Sequence, residues 1–94
     1  MMTELEKLDA GLEYCFTDPG VEARKAGAAS LCRELNAVPH TDRARQEPLI
    51  RKLFGKAGRN PVVLANFQCD NGKNIRVGDE FLANYNVTIL DMAP

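Results

Sequence analysis

The sequence is poor in the residues that most often carry chemistry or cross-links: it has one histidine, no tryptophan and three cysteines. Cys15, Cys32 and Cys69 are odd in number, lie far apart in the chain and form no Cys-x-x-Cys pair. A disulfide framework and a zinc site are therefore not predicted. We expect the three residues to be reduced thiols that fill space as small apolar side chains.

Long apolar runs and an excess of one charge are also absent. No apolar stretch approaches the roughly 20 residues of a membrane span, and residues 1–7 lack the basic start and apolar core of a signal peptide. The 12 basic and 13 acidic residues nearly cancel and form no basic stripe for nucleic acid. We therefore expect a cytoplasmic protein without nucleic-acid or membrane partners. The densest basic cluster is expected to be a solvated helix face. It comprises Arg43, Arg45, Arg51 and Lys52.

No catalytic set is recognisable within the chain. There is no Gly-x-Ser-x-Gly, no phosphate-binding loop and no cluster of metal ligands. The single histidine, His40, stands between Pro39 and Thr41 in a predicted connection between helices. A length of 94 residues corresponds to one domain at most, or to a piece of a larger one.

A first helix is predicted near the N-terminus. Thr3 and Glu6 have the spacing of a capping box, which opens a helix. We expect this helix to continue through Gly11, because apolar residues recur beyond it at helical spacing. These residues are Leu5, Leu8, Leu12 and Phe16.

Two further helices are predicted from their caps. Asp18 before Pro19 opens the second helix, which is expected to reach about Ala37. Lys25 interrupts its apolar face, either as an edge residue or as a charge directed at a site. That face contains Val21, Ala28, Leu31, Cys32 and Leu35.

The third helix could begin after the Thr41-Asp42 pair and end at Phe54, where Gly55 would stop it. Pro48 falls inside this segment, so the helix either kinks there or begins near it.

The clearest pattern in the second half is a six-residue repeat of apolar positions. One register contains Cys69, Ile75, Phe81 and Val87, and a second, two residues on, contains Val77, Ala83 and Ile89. Each pair of positions marks a short extended segment with both side chains on one face. Such a repeat is typical of a parallel β-helix, in which each short strand turns a corner into the next. Counted from Cys69, the repeat amounts to little more than one three-sided coil.

The two patterns divide the chain. Residues 58–61, Gly-Arg-Asn-Pro, are a break. Beyond it, Val62, Val63, Leu64 and Phe67 are typical of strands, and residues 70–72, Asp-Asn-Gly, of a turn. We therefore predict an α+β chain with a helical part at residues 1–60 and the first incomplete coils of a β-helix at residues 61–94.

Several short motifs together resemble the maltose and galactoside O-acetyltransferases. In the first half they are Glu6-Lys7, Ala10-Gly11, Tyr14, Asp18-Pro19 and Leu53-Phe54-Gly55. In the second half they are Phe67, Cys69-Asp70, Gly72, Asn74-Ile75, Val77-Gly78, Phe81, Ala83-Asn84-Tyr85-Asn86 and Leu90-Asp91. The resemblance extends over essentially the whole chain, but over only about the first half of a typical family member.

The resemblance implies a fold and a reaction. The family places helices beside a left-handed β-helix and forms trimers with active sites between neighbouring subunits. It transfers an acetyl group from acetyl-CoA to a hydroxyl of a maltose, glucose or galactoside type of sugar. A histidine from a later coil serves as general base, because a sugar hydroxyl is a poor nucleophile near neutral pH. The family's Gly-His-Pro segment and its coenzyme A coils have no counterpart in these 94 residues, so we expect this chain to bind no cofactor.

The resemblance also assigns four residues to sugar binding. Asn84 matches the family's acceptor-binding asparagine, and Asp91 matches the acidic position that ends the same coil. Asp70 matches the polar position before the Gly72 turn. Lys25 stands where the family usually has an arginine, and a lysine cannot make the bidentate contact. By spacing alone, the three Asn and Asp residues could instead be corner residues that satisfy backbone groups at tight turns.

Two functions follow as hypotheses. The chain is the acceptor-binding half of an acetyl-CoA-dependent sugar O-acetyltransferase, inactive alone because the catalytic histidine and the coenzyme A coils would have to come from a second polypeptide. We expect the chain to form a homo-oligomer, which is a trimer in the family, or to associate with such a second polypeptide. Alternatively, it is a non-enzymatic interaction module or remnant that docks on a full-length relative through its open β-helix edge.

Overall fold

A computed structural model describes the whole chain, residues 1–94, as three helices followed by six short strands. The helices are α1 (Glu4–Asp9), α2 (Pro19–Asn36) and α3 (Arg43–Leu53). The strands are β1 (Lys56–Ala57), β2 (Val62–Val63), β3 (Gln68–Cys69), β4 (Arg76–Val77), β5 (Leu82–Ala83) and β6 (Thr88–Ile89). None of the helices combines the length and the apolar character that a bilayer crossing requires.

Helix α1 begins as predicted and ends earlier than predicted. The backbone N–H of Glu6 donates to Thr3 Oγ1 at 3.1 Å, and the N–H of Thr3 donates to Glu6 Oε1 at 2.9 Å, which completes the capping box. The helix ends at Asp9 because Gly11 adopts a φ of +76°, a left-handed conformation that stops the helix. The prediction that the apolar face continues was therefore wrong: Leu12 and Phe16 are exposed.

Helices α2 and α3 begin at the predicted caps. The carboxylate of Asp18 accepts the N–H of Gly20 at 2.9 Å and that of Val21 at 3.2 Å. Asp42 caps α3, which runs through Pro48, so the alternative of a start near that proline was wrong. The predicted apolar face of α2 is confirmed by four buried residues and one half-buried residue. These are Val21, Ala28, Cys32 and Leu35, with Leu31 half-buried.

The six strands form three parallel two-stranded sheets. Each of the first three strands pairs with the strand twenty residues later: Lys56 with Arg76, Val62 with Leu82, and Gln68 with Thr88. Strands β1 to β3 therefore make one three-sided turn of the chain, the first coil, and strands β4 to β6 make a second coil stacked on it. Stacking in this order satisfies the facing backbone groups of both coils.

The repeat begins earlier than the sequence pattern indicated. The first strand is at Lys56, before the predicted division at residue 60, and the chain makes two coils rather than little more than one. Strand starts are six residues apart within a coil, but eight residues separate Gln68 from Arg76. Cys69 pairs with Ile89 and so belongs to the second apolar register, not to the first. The predicted register of Cys69 was wrong because two extra residues lie in the corner at residues 70–74.

One continuous core joins the helices to both coils. Its 11 buried residues come from α2, α3, the strands and the residues that directly flank them. Phe54, which follows α3, packs its ring 5.6 Å from Phe67 and 6.0 Å from Phe81, centroid to centroid. The buried thiols Cys32 and Cys69 also lie in this core, which agrees with a space-filling role, whereas Cys15 is exposed and does not fill space.

Side chains of α2 and α3 bond to the edge of the first coil that faces away from the second. Gln46, buried in α3, donates from Nε2 to the carbonyl of Val63 and accepts the Val63 N–H at 3.2 Å. Asn36, the last residue of α2, donates to the carbonyl of Phe67 at 3.0 Å and accepts its N–H at 2.8 Å. Each amide therefore takes the place of a neighbouring strand.

Arg51 makes the equivalent bonds at the remaining sheet, which β1 and β4 form. Its guanidinium donates to the carbonyl oxygens of Ala57 at 2.7 Å and Gly58 at 2.9 Å. It also bonds to Glu47 at 2.8 Å. The predicted solvated basic face is confirmed, since Arg43, Arg45, Arg51 and Lys52 are all exposed. The bonds of Arg51 to the backbone of the first coil were not predicted.

The second coil has no such cover. Each of its strands has a paired strand on one side only. Three large apolar side chains on this coil are exposed: Leu82 at 57%, Tyr85 at 65% and Leu90 at 79%. The two ends of the stack therefore differ, with one edge bonded to helices and the other open.

Candidate functional site

The corner at residues 70–74 is organised by one carboxylate. Asp91 Oδ1 accepts the backbone N–H of Asp70 at 3.2 Å and of Asn71 at 2.9 Å. Its Oδ2 accepts the N–H of Gly72 at 2.7 Å and of Asn74 at 3.3 Å. Four converging N–H donors hold a carboxylate by charge-assisted hydrogen bonds. Asp91 is accordingly buried, with 7% of its surface exposed.

Asn74 also stabilises the corner at residues 70–74, by hydrogen bonds from its side-chain amide. Its Nδ2 donates to the carbonyl of Asp91 at 2.8 Å and to that of Met92 at 3.3 Å. Met92 is buried against Leu8 of α1 and Val21 of α2. The corner, the end of the second coil and the first two helices are therefore linked in one arrangement.

Asp70 and Lys25 meet beside this corner. The side chain of Asp70 is 20% exposed, and its Oδ1 lies 3.9 Å from Nζ of Lys25 on α2. The lysine side chain is 64% exposed, so the ion pair is long and solvated and contributes little to stability. Lys25 thus lies at the edge of the helix and also faces a candidate residue, which unites the two interpretations that the sequence left open.

Asn84 lies apart from the other three candidates. It follows β5, whereas Asp70 and Asp91 follow the paired strands β3 and β6 at a different side of the stack. Its side chain is exposed, and its Oδ1 accepts the N–H of the adjacent Tyr85 at 2.8 Å. The structure therefore brings together Lys25, Asp70 and Asp91, and leaves Asn84 at the next corner.

The concave surface of the chain lies elsewhere. A groove of about 650 Å³ runs between the N-terminal segment and the start of α2, and none of the four candidates lines it. Its one lysine, Lys7, is paired with Glu4 at 2.9 Å, and Asp18 adds a second carboxylate. The Lys7 ammonium lowers the pKa of Glu4, which keeps this carboxyl charged. Two carboxylates beside a neutralised lysine do not fit the phosphates of coenzyme A.

Several of the structurally important residues were not predicted from the sequence. Asn74, Asn36 and Gln46 carry hydrogen bonds across 17 to 31 residues of chain, which no local pattern announces. A weak signal existed for Gln46, because an uncharged polar residue on the apolar face of a predicted helix must find a partner. His40 lies exposed in a turn, as the sequence indicated.

Comparison with known proteins places this arrangement in a family. The sequence pattern described as the maltose acetyltransferase hexapeptide capping motif matches residues 7–58, which is more than half of the chain. Among curated proteins, the galactoside O-acetyltransferase of Escherichia coli (strain K12) is 29% identical over 90 residues, covering 96% of this chain and 44% of that protein. The chain spans about half the length of the curated relatives it matches.

Solved structures agree with the sequence comparison. A maltose O-acetyltransferase from Clostridium difficile 630 superposes with a TM-score of 0.90 at 35% identity, covering 98% of this chain and 49% of that one. A hexapeptide-repeat acetyltransferase from Vibrio cholerae O1 biovar eltor, complexed with acetyl coenzyme A, has a TM-score of 0.79 at 39% identity, with coverage of 99% and 50%. By its motif and its superposition, this chain belongs to the maltose and galactoside O-acetyltransferase family.

Proposed function

We propose that this chain is the acceptor-binding half of an acetyl-CoA-dependent sugar O-acetyltransferase. The observation that carries the proposal is the superposition of nearly the whole chain on a maltose O-acetyltransferase at a TM-score of 0.90. The acceptor is a sugar of the maltose, glucose or galactoside type. The finer fold also belongs to the proposal: the two coils are the first of a left-handed parallel β-helix, and the active unit is a trimer with sites between subunits.

The proposed roles follow from the contacts of each candidate. Asp70 has a partly exposed carboxylate and Asn84 an exposed amide oxygen, and both can accept hydrogen bonds from sugar hydroxyls. Lys25, whose exposed ammonium lies 3.9 Å from the Asp70 carboxylate, adds a donor for a sugar oxygen. Asp91 is a positioning residue, because its carboxylate is buried and already accepts four backbone N–H groups.

The proposed site needs a second surface. Asp70 and Asn84 lie at different corners and line no common pocket, so the chain supplies contacts on a convex face. A neighbouring subunit or a further segment would enclose the sugar and hold one hydroxyl toward the acyl carbon.

The chemistry also needs a base that these residues do not place. A sugar hydroxyl must lose its proton as it attacks an acyl carbon, and a positioned imidazole contributes typically 10²–10⁴-fold. His40 is exposed in a turn between α2 and α3 and is not among the candidate residues. We therefore expect the 94-residue polypeptide by itself to show no acetyl-CoA-dependent acetylation of maltose, glucose or a galactoside. Turnover above buffer that His40→Ala abolishes would contradict this.

A chimera tests the acceptor-binding role directly. The chain is fused to the half of the C. difficile maltose O-acetyltransferase that it does not cover, and acetylation is measured with both substrates varied. Asn84→Ala and Asp70→Asn should lower kcat/KM for the sugar at least tenfold and leave the KM for acetyl-CoA unchanged. Gln68→Ala, at an exposed strand position, is the matched control. Unchanged sugar kinetics in both variants would refute the acceptor-binding role.

A second function is favoured by the unequal ends of the coil stack. The first coil is bonded to helices through Asn36, Gln46 and Arg51, whereas the second coil is open and exposes Leu82, Tyr85 and Leu90. As an interaction module, the chain would dock this edge on the coils of a longer family member by adding strands. Binding to such a protein that Leu90→Lys weakens, without any effect of Asn84→Ala, would favour this function over sugar binding.

A further inference from the structure

Two cysteines that are far apart in the sequence meet in the core. Cys32 lies on α2 and Cys69 at the end of β3, and their sulfur atoms are 3.7 Å apart. Both are free thiols, with exposures of 0% and 8%. The third cysteine, Cys15, is exposed, and its sulfur lies 3.2 Å from the hydroxyl of Thr17. The pair is therefore buried, and the exposed thiol lies apart from it.

The two sulfur atoms are in non-bonded contact, 3.7 Å apart. A disulfide has an S–S length of about 2.05 Å, so the sulfur atoms must move closer together from 3.7 Å for the bond to form. The elements that carry them, α2 and β3, are already packed against each other. No long segment has to move before the bond can form.

The pair also has the ionisation that oxidation requires. The two sulfur atoms lie within hydrogen-bonding distance, and this contact with Cys69 lowers the pKa of Cys32 to about 7. The same contact and burial raise the pKa of Cys69. Cys32 is therefore the more readily ionised of the two thiols, and a thiolate is the form that reacts with peroxides and disulfides.

We propose that Cys32 and Cys69 form an oxidation site that closes into an intramolecular disulfide under hydrogen peroxide. One sulfur attacks a peroxide oxygen, becomes a sulfenic acid and releases one water. The second sulfur then attacks the sulfenic sulfur, the S–S bond forms, and a second water leaves. Two thiols lose two electrons and two protons in all, and one peroxide is reduced to two waters.

The disulfide would fasten α2 to the strand that leads into the candidate site. Cys69 is followed directly by Asp70, and Lys25 lies on the same helix as Cys32. The bond would close a loop between residues 32 and 69 and so restrict the unfolded chain. Oxidation is thus expected to raise the stability of the link between the helices and the first coil. This inference is independent of the proposed function.

The experiment uses Cys15→Ser, which removes the exposed thiol and retains the pair. The folded protein is treated with hydrogen peroxide, then denatured and alkylated. We expect alkylatable thiols to fall from two to zero, the intact mass to fall by two hydrogens, and a non-reduced digest to contain the Cys32 peptide linked to the Cys69 peptide. The midpoint of urea unfolding should rise on oxidation and return after dithiothreitol.

A control variant distinguishes oxidation within the Cys32–Cys69 pair from general oxidation of the protein. Cys15→Ser/Cys69→Ala has one thiol left and should instead gain oxygen atoms under the same treatment. Because that variant removes buried atoms, the linked-peptide result on Cys15→Ser decides the question. Two thiols that stay alkylatable in the folded protein, a mass gain of oxygen, or disulfide-linked dimers would each overturn the proposal.

Discussion

The carboxylate of Asp91, at the end of the second coil, accepts the backbone N–H of Gly72 at 2.7 Å across 19 residues of chain. This contact joins the two coils at the corner where the six-residue repeat gains two residues. The corner carries Asp70, which is one of the residues that we propose contact the sugar. The shape of the candidate site therefore depends on a residue that does not itself need to contact substrate.

Asp91→Asn should destabilise the protein by about 1.5–3 kcal/mol, because an amide nitrogen replaces one acceptor oxygen and faces backbone N–H donors. The free energy of unfolding in urea measures the effect. Glu13→Gln makes the same chemical change at an exposed position and should leave that free energy unaltered. Equal stabilities for the two variants would show that the four hydrogen bonds add nothing.

Gly72→Ala should destabilise by more than about 1–2 kcal/mol, the cost of a left-handed conformation in an L-residue. Gly72 has a φ of +86°, and an added Cβ would lie 2.4 Å from the carbonyl oxygen of Leu53. Gly27→Ala is the matched control, since this glycine lies within α2 with open space around it. It should stabilise by about 0.5–1 kcal/mol. Thermal or urea unfolding of the two variants should therefore shift in opposite directions, and a shift of the same sign would contradict the structure of the corner.

Gln46→Leu should lower stability by at least about 1–3 kcal/mol, although it places an apolar side chain in the core. The substitution leaves both the N–H and the carbonyl of Val63 without their partner at a buried edge. Gln68→Leu, at an exposed strand position, is expected to change stability by no more than about 0.5 kcal/mol. A neutral Gln46→Leu would mean that water or a shifted side chain satisfies the Val63 backbone.

Self-association should run through the open second coil. Leu90 is 79% exposed beside strands that pair on one side only, and the net charge of −1 opposes association weakly. Sedimentation over a concentration series should show oligomers that Leu90→Lys reduces. Leu12→Lys, an exposed leucine in the helical part, is the control and should have no such effect. A parent protein that is monomeric at high micromolar concentration would refute this prediction.

The sequence by itself determined where the three helices begin and that apolar positions recur every six residues in the second half. The caps at Thr3, Asp18 and Asp42 were predicted because a cap involves residues only two or three positions apart. The apolar pairs of the hexads likewise depend on local alternation along one short strand. The motifs at residues 67–91 were also sufficient to indicate the family, which the capping motif and the superposition confirm.

Only the tertiary structure decided which of those elements pair with and contact one another. The pairing of β1 with β4, the burial of Asp91, the bonds of Gln46 to Val63 and the meeting of Cys32 with Cys69 each join residues 17 to 37 positions apart. Such contacts arise only when the second coil stacks on the first and α2 and α3 cover the coil edge. Because one corner holds two extra residues, the register of that stacking could not be read from the repeat. The geometry of the fold therefore decided which polar residues hold the corners and which remain exposed.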